Sequence, residues 1–348
     1  MALFRNLGPF RTTAIGHGEM PLTIENNRGH DVGIETLHAS LDAGCRHIDT
    51  AWAYYTPGEE EQTGEKLVRE ALDSWKGPRE EVTVATKVGL RRAWEGDKPV
   101  WPRDGKPEHL IEYGKQSAMA LGVDSIDLLY LHRHDPEVPY NESCEGIKAL
   151  LDQGVAQWAG VSNVSIEQLK IAQEILGDKL VAVQNQYSPI HLDTQDTLDY
   201  CAEQGLAFVC WSPLGGYRHP YDEHLFDPFR EVAEARGVSY QRVVLAWELA
   251  KGDHMFVIPG AIDRKPFSIP SRPTSSNSPK RNSPNSAECQ IRNVLRQGVR
   301  LHDGRLCFPH VFFLVCISRM RQKCPVNSRE YRAEKSSKRN KRAKKKQA

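Results

Sequence analysis

Eight short runs rich in Val, Ile, Leu and aromatic residues recur through the first 261 residues, each separated from the next by a stretch with helical periodicity. The runs are 46–50, 82–88, 126–131, 156–161, 180–184, 207–211 and 256–258, with a weaker first one at 12–16. Between them Ile34, Leu37 and Leu41 share a helical face, as do Leu67 and Ala71, then Ile147, Leu150 and Leu151, then Ile166, Leu169 and Ile175. Ser165, followed by Ile166-Glu167-Gln168, has the spacing of a capping box. Gly44, Gly154 and Gly205 stand where helices end and a left-handed residue is often required. Eight strands alternating with helices over about 250 residues predict an α/β fold, the (β/α)8 TIM barrel. The alternative is a doubly wound sheet, but the first turn, Gly16-His17-Gly18, does not continue as a G-x-G-x-x-G that opens a helix.

The formal net charge of +1 over 348 residues conceals two segments of opposite charge. Residues 1–261 hold 24 Lys/Arg against 40 Asp/Glu, whereas 262–348 hold 22 against 5. The first segment has the mixed composition of a folded domain. The second is rich in Ser, Pro, Arg and Lys and closes in a run of like charge, so a disordered tail is expected there. The longest apolar stretch, 307–317, is broken by Pro309 and His310. A spanning helix needs about 20 apolar residues, so no membrane segment is expected. The N-terminus lacks the basic and apolar regions of a secretory signal. Eight cysteines without a C-x-x-C pair point to a reducing, cytoplasmic setting.

In a barrel, chemistry sits at the C-terminal ends of the strands. The second strand runs into Asp49-Thr50-Ala51-Trp52-Ala53-Tyr54, the third into Thr86-Lys87 and the fourth into His132-Arg133-His134. The fifth ends in Ser162-Asn163, the sixth in Gln184-Asn185-Gln186-Tyr187-Ser188 and the seventh in Ser212-Pro213-Leu214. An acid, a phenol, an amine and an imidazole are thus expected at one mouth. A free phenol has a pKa near 10, too high for easy proton donation at neutral pH. A neighbouring ammonium lowers it, and a carboxylate keeps that ammonium charged. An imidazole can hold a carbonyl or join a proton relay. Trp52 lies between Asp49 and Tyr54 and is the first choice for a substrate-pocket aromatic, with Trp101 and Trp211 as further candidates. His132 and His134 have no third ligand at zinc-like spacing, so no metal is expected.

These strings, in this order, resemble the aldo-keto reductase superfamily. The resemblance rests on Asp49-Thr50-Ala51 with Tyr54, Thr86-Lys87, Asp127-Leu128-Leu129-Tyr130-Leu131-His132, Gly160-Val161-Ser162-Asn163, Gln184-Asn185-Gln186-Tyr187-Ser188, Trp211-Ser212-Pro213-Leu214 and Ile258-Pro259-Gly260-Ala261. It covers residues 1–261. It implies reduction of a small-molecule aldehyde or ketone with NADPH, or with NADH. Tyr54 would be the general acid, Lys87 and Asp49 its tuners, and His132 would orient the substrate. Ser162, Asn163 and Gln184 would hold the nicotinamide carboxamide, with Tyr187 stacked on the ring. Ser212, Leu214, Pro259 and Gly260 would follow the rest of the cofactor. Tyr55 and His134-Asp135-Pro136 depart from the family pattern without removing a catalytic group.

After Ala261 the resemblance stops. The family continues with an Arg-Pro-Glu-type segment for the 2′-phosphate and then an eighth outer helix, whereas this chain continues with Ile262-Asp263-Arg264-Lys265-Pro266-Phe267 and Ser/Pro/Asn-rich sequence. Joining the third base of each codon to the first two of the next permits x-Arg-Pro-Glu and then an amphipathic helical pattern. A frameshift near codon 261 is therefore expected, leaving the last helix missing or replaced by the basic tail. Two other functions follow from that tail. One is nucleic-acid binding through its Lys/Arg run, which lacks the interleaved aromatics that stack bases. The other is a catalytically impaired barrel that acts as a binding or regulatory protein.

Overall fold

A computed structural model of the chain describes residues 2–216, 223–261, 300–302 and 305–307. Eight parallel strands form one sheet in sequential order: β1 (His17–Gly18), β2 (His47–Asp49), β3 (Thr83–Val88), β4 (Ile126–Leu131), β5 (Ala156–Ser162), β6 (Leu180–Gln186), β7 (Ala207–Trp211) and β8 (Met255–Val257). A parallel bridge between Ile15 and Val257 brings the last strand back to the first. Gly16 N–H donates to the Val257 carbonyl (2.8 Å), and Val257 N–H to that of Ala14 (3.0 Å). The ring closes as a barrel, and its strands read as continuous apolar runs because both faces are covered.

Among the described residues eight helices fill the connections: α1 (His30–Asp42), α2 (Thr63–Ser74), α3 (Pro107–Leu121), α4 (Tyr140–Asp152), α5 (Ile166–Leu176), α6 (Gln195–Gln204), α7 (Asp227–Arg236) and α8 (Tyr240–Leu249). The capping box of α5 forms as expected, with both reciprocal hydrogen bonds present. Gly44, Gly154 and Gly205 take φ of 95°, 74° and 70°, each ending a helix in a conformation that costs other residues more.

The first strand differs from the sequence reading. Thr12 and Thr13 belong to an antiparallel hairpin, Phe4–Leu7 with Phe10–Thr13, whereas the barrel pairing starts with the bridge at Ile15 and continues through His17–Gly18. A second hairpin, Ala93–Glu95 with Lys98–Val100, also lies outside the predicted strands. Two helices, not one, separate β7 from β8. By compactness the chain divides into Met1–Glu288 and Cys289–Ala348. In the second unit the described residues are an antiparallel strand pair, Arg300–His302 with Arg305–Cys307. The expected loss of the last barrel helix, and most of the expected disordered tail, lie outside the described residues.

Candidate active site

The strand ends place Asp49, Lys87, Tyr54 and His132 together. Lys87 projects from β3 and is 1% exposed. Its Nζ donates to Asp49 Oδ1, to the Thr50 carbonyl (2.8 Å) and to Tyr54 Oη (3.2 Å). Gln184 Nε2 donates to the second carboxylate oxygen of Asp49 at 2.7 Å. Tyr54 meets the His132 ring edge to face, 5.9 Å between centroids, and the Trp101 ring at 6.2 Å. Asn163 Nδ2 donates to the His132 carbonyl (3.1 Å) and to Ser162 Oγ (2.9 Å), and Ser162 Oγ–H donates to the Gln184 carbonyl (2.7 Å). Seven of the predicted residues thus form one connected group.

Its electrostatics depart from expectation in one respect. Burial raises the Tyr54 phenol above its ordinary value, and the opposing pull of Lys87 does not cancel that rise. Burial also works against the Lys87 ammonium, but Asp49 and Tyr54 outweigh it and the amine stays raised and charged. Burial, then Lys87 and Arg133, push His132 well below its usual value, so its ring is neutral. Two carboxyls that the sequence reading passed over stand behind the group. Glu19 accepts from Thr23 Oγ1 (2.6 Å) and Thr50 Oγ1 (2.9 Å), and Glu65 accepts from Thr86 Oγ1. Burial raises each to about 7.

Other predicted residues are placed differently. Trp52 is 1% exposed, packs on Tyr55 and Tyr113, and donates its Nε1 to Gln116 at 3.0 Å. The aromatic beside Tyr54 is Trp101, because Trp52 turns outward toward α3. Tyr187 is fully buried, stacks on Trp247 and donates to Gln195 at 2.6 Å. The half-buried ring at the mouth is Trp211, which lines a cavity of about 520 Å³ with Arg133, Asn163, Asn185 and Gln186. Ser212 and Leu214 follow β7, and Pro259 and Gly260 follow β8. The Pro259 carbonyl accepts from Gly18 N–H at 3.1 Å. A Cβ on Gly260 would come within 2.6 Å of Pro21. His134 does not converge with His132. Its ring nitrogens lie 3.0 Å from Gln168 Nε2 and 3.2 Å from the Val138 carbonyl. Among the described residues no group of three or more His, Cys, Asp and Glu could hold a metal.

The mouth fits a carboxamide-bearing cofactor. Asn163 and Ser212, at the ends of β5 and β7, are non-glycine residues held at φ of 59° and 50°, a strained conformation that clusters at functional sites. Both side-chain hydrogen bonds of Asn163 use its Nδ2, so among the described residues its Oδ1 accepts nothing while the side chain lines the cavity. An amide NH2 is the complement of that oxygen.

Barrel and site together define an oxidoreductase that acts on carbonyl or alcohol groups. The Aldo/keto reductase family matches residues 14–267, and the chain belongs to it. It is 30% identical over 264 residues to a pyridoxine 4-dehydrogenase of Escherichia coli, covering 73% of this chain and 86% of the relative. It is 32% identical over 234 residues to a 6-dehydroglucose reductase of Novosphingobium aromaticivorans, covering 65% and 75%. A glycerol dehydrogenase structure from Gluconobacter oxydans shares the fold, with a TM-score of 0.62 at 24% identity, covering 75% of this chain and 86% of that one.

Proposed function

We propose that the chain reduces a small aldehyde or ketone to its alcohol, reversibly, with NADPH in preference to NADH and with Tyr54 as the proton donor. One observation carries this reading: Tyr54 Oη lies 3.2 Å from a buried ammonium that is itself paired with a carboxylate. When bound, the reduced nicotinamide supplies a hydride to the carbonyl carbon. The oxygen then becomes an alkoxide, a far stronger base than phenolate, so the Tyr54 proton moves to it even though burial has raised the phenol. Lys87 stabilises the phenolate that remains, and Asp49 keeps Lys87 charged and aimed. Neutral His132 faces Tyr54 across the same space and holds the carbonyl oxygen near Oη.

Asn163 would take the nicotinamide carboxamide. Ser162 and Gln184, both buried, would support it from behind. Trp211, in place of Tyr187, offers the ring platform. Ser212, Leu214, Pro259 and Gly260 would line the path of the rest of the cofactor. The named relatives act on small polar alcohols or carbonyls, which supports a substrate of that size. Among the described residues no helix is long and apolar enough to cross a membrane. With a cytoplasmic setting, we expect a freely diffusing substrate and no nucleic-acid partner.

The test is loss of reduced nicotinamide absorbance by the full chain with a panel of sugar, pyridoxal, aliphatic and aromatic aldehydes, using NADPH and NADH in turn. Aldehyde-dependent oxidation with one alcohol formed per cofactor is expected, faster with NADPH. A folded protein that turns over none of the panel would overturn the proposal.

A further inference from the structure

Arg133 is, among the described residues, the cation in the wall of the mouth cavity, and the mechanism gives it no task. It follows His132 immediately, so it stands one residue step, about 3.3 Å along the backbone, from the group that faces Tyr54. It is half-buried in the cavity wall, and its guanidinium lies over the Trp211 ring, 5.8 Å from the centroid. Other arginines of the barrel are spent on structure. Arg5 donates to three backbone carbonyls, and Arg46 pairs with Glu81. Arg133, among the described residues, donates no hydrogen bond and pairs with no carboxylate. Its pKa is lowered by burial and then by a second cation, Arg103. The cavity's own carboxylates, Glu167 and Asp193, line the wall but do not approach it within ion-pair distance. A positive charge held partly out of water beside another cation, with its planar fork of donors unspent, is complementary to an oxyanion.

We infer that Arg133 is a specificity-determining residue that selects carbonyl substrates bearing a carboxylate or phosphate a few bonds from the reacting carbon. The assignment rests on the reductase reading above. The cofactor's phosphates are the competing anion. They are expected along Ser212, Leu214 and Gly260, which follow β7 and β8, whereas Arg133 follows β4 directly after His132; because Trp211 of β7 lies beneath the guanidinium, the NADPH titration below separates the two anions.

The test compares kcat/KM of the full chain for 4-carboxybenzaldehyde against its methyl ester, and for glyceraldehyde 3-phosphate against glyceraldehyde. Each pair is measured in the wild type, Arg133→Met and Arg133→Lys. Calorimetry of NADPH, and of 4-(hydroxymethyl)benzoate against its methyl ester, accompanies the kinetics. The wild type should prefer the charged member of at least one pair by tenfold or more. Which pair responds tells carboxylate from phosphate. The preference should fall to within threefold of unity in Arg133→Met and return in part in Arg133→Lys, with NADPH affinity held within twofold. A preference absent from the wild type in both pairs, or one that survives Arg133→Met, overturns the inference. So does weakened NADPH binding in Arg133→Met with the preference intact, which would place Arg133 on the cofactor. If no aldehyde is turned over, the reductase reading fails separately, and the calorimetric acid-to-ester ratio still decides whether Arg133 binds an oxyanion.

Discussion

Glu19 and Glu65 are carboxyls in a place where water cannot share their charge, and burial raises both to about 7. An acid whose folded pKa exceeds its unfolded value contributes stability below the unfolded pKa and loses it as pH rises toward the folded one. For Glu19 that window runs from 4.5 to about 7. Glu19→Gln keeps an acceptor for Thr50 and cannot ionise. Its stability relative to wild type should therefore climb across that window, by up to about 1.4 kcal/mol per pH unit, and level off above it. Denaturant unfolding at several pH values measures this, and a constant offset would show that Glu19 does not titrate there. Lys87→Met should slow carbonyl reduction by about 10² or more, because the phenolate loses its counter-charge. It should also lower Tm, since Asp49 is left buried without its cation, a loss typically of about 3–5 kcal/mol. The sequence showed Asp49, Tyr54, Lys87 and His132 because polar residues at strand ends interrupt apolar runs. It did not show Glu65, which reads as an ordinary surface glutamate. Only its phase on α2, where Leu67, Val68 and Leu72 are also buried, gives it away. Trp52 and Tyr187 turn away from the mouth, toward Gln116 and Trp247, and chain position alone does not say which way a ring turns.

At the scale of elements, seven of the eight barrel strands were legible because they are buried on both faces and so spell continuous apolar runs. The first overlaps the barrel only at Ala14–Gly16, because β1 itself is two residues long and the neighbouring Thr12 and Thr13 carry more β propensity than His17 and Gly18. The hairpin at Ala93–Glu95 and Lys98–Val100 was missed because its strands are short and largely exposed, although Gly96 with φ of 59° marks its turn. The α8 helix carries an anomaly. Glu248 is fully buried on the apolar face with Val244 and Leu245, and neither carboxyl oxygen finds a hydrogen-bond partner among the described residues. Burial pushes it well above its usual value, against a weaker pull from Lys251. Glu248→Leu should therefore raise Tm, and by more at pH 8 than at pH 5, because the wild type loses stability as pH climbs above the free carboxylate range. Calorimetric scans at the two pH values check this. A lower Tm in the variant would mean that the carboxyl has a partner worth more than its burial costs.

For the whole molecule, residues 1–261 and 262–348 carry opposite net charge, −16 and +17, and the match to the family ends six residues past the change of sign, at residue 267. Nothing in the sequence past Ala261 has the amphipathic period of an outer barrel helix. Replacing that segment with the alternate-frame ending should raise Tm and tighten NADPH binding about tenfold, the gain of one or two charged hydrogen bonds to a phosphate. Equal midpoints and equal affinities in the two proteins would show that the present ending already supplies those contacts. The proposed reaction requires Tyr54 to give up a proton to the carbonyl oxygen. That is measured most directly by comparing the wild type with Tyr54→Phe, which removes one hydroxyl and little else. We predict that the aldehyde-dependent rate falls by at least about 10², while the dissociation constant for NADPH, titrated by fluorescence, stays within about twofold of wild type. A Tyr54→Phe protein that retains more than roughly a tenth of the rate would show that Tyr54 is not the proton donor.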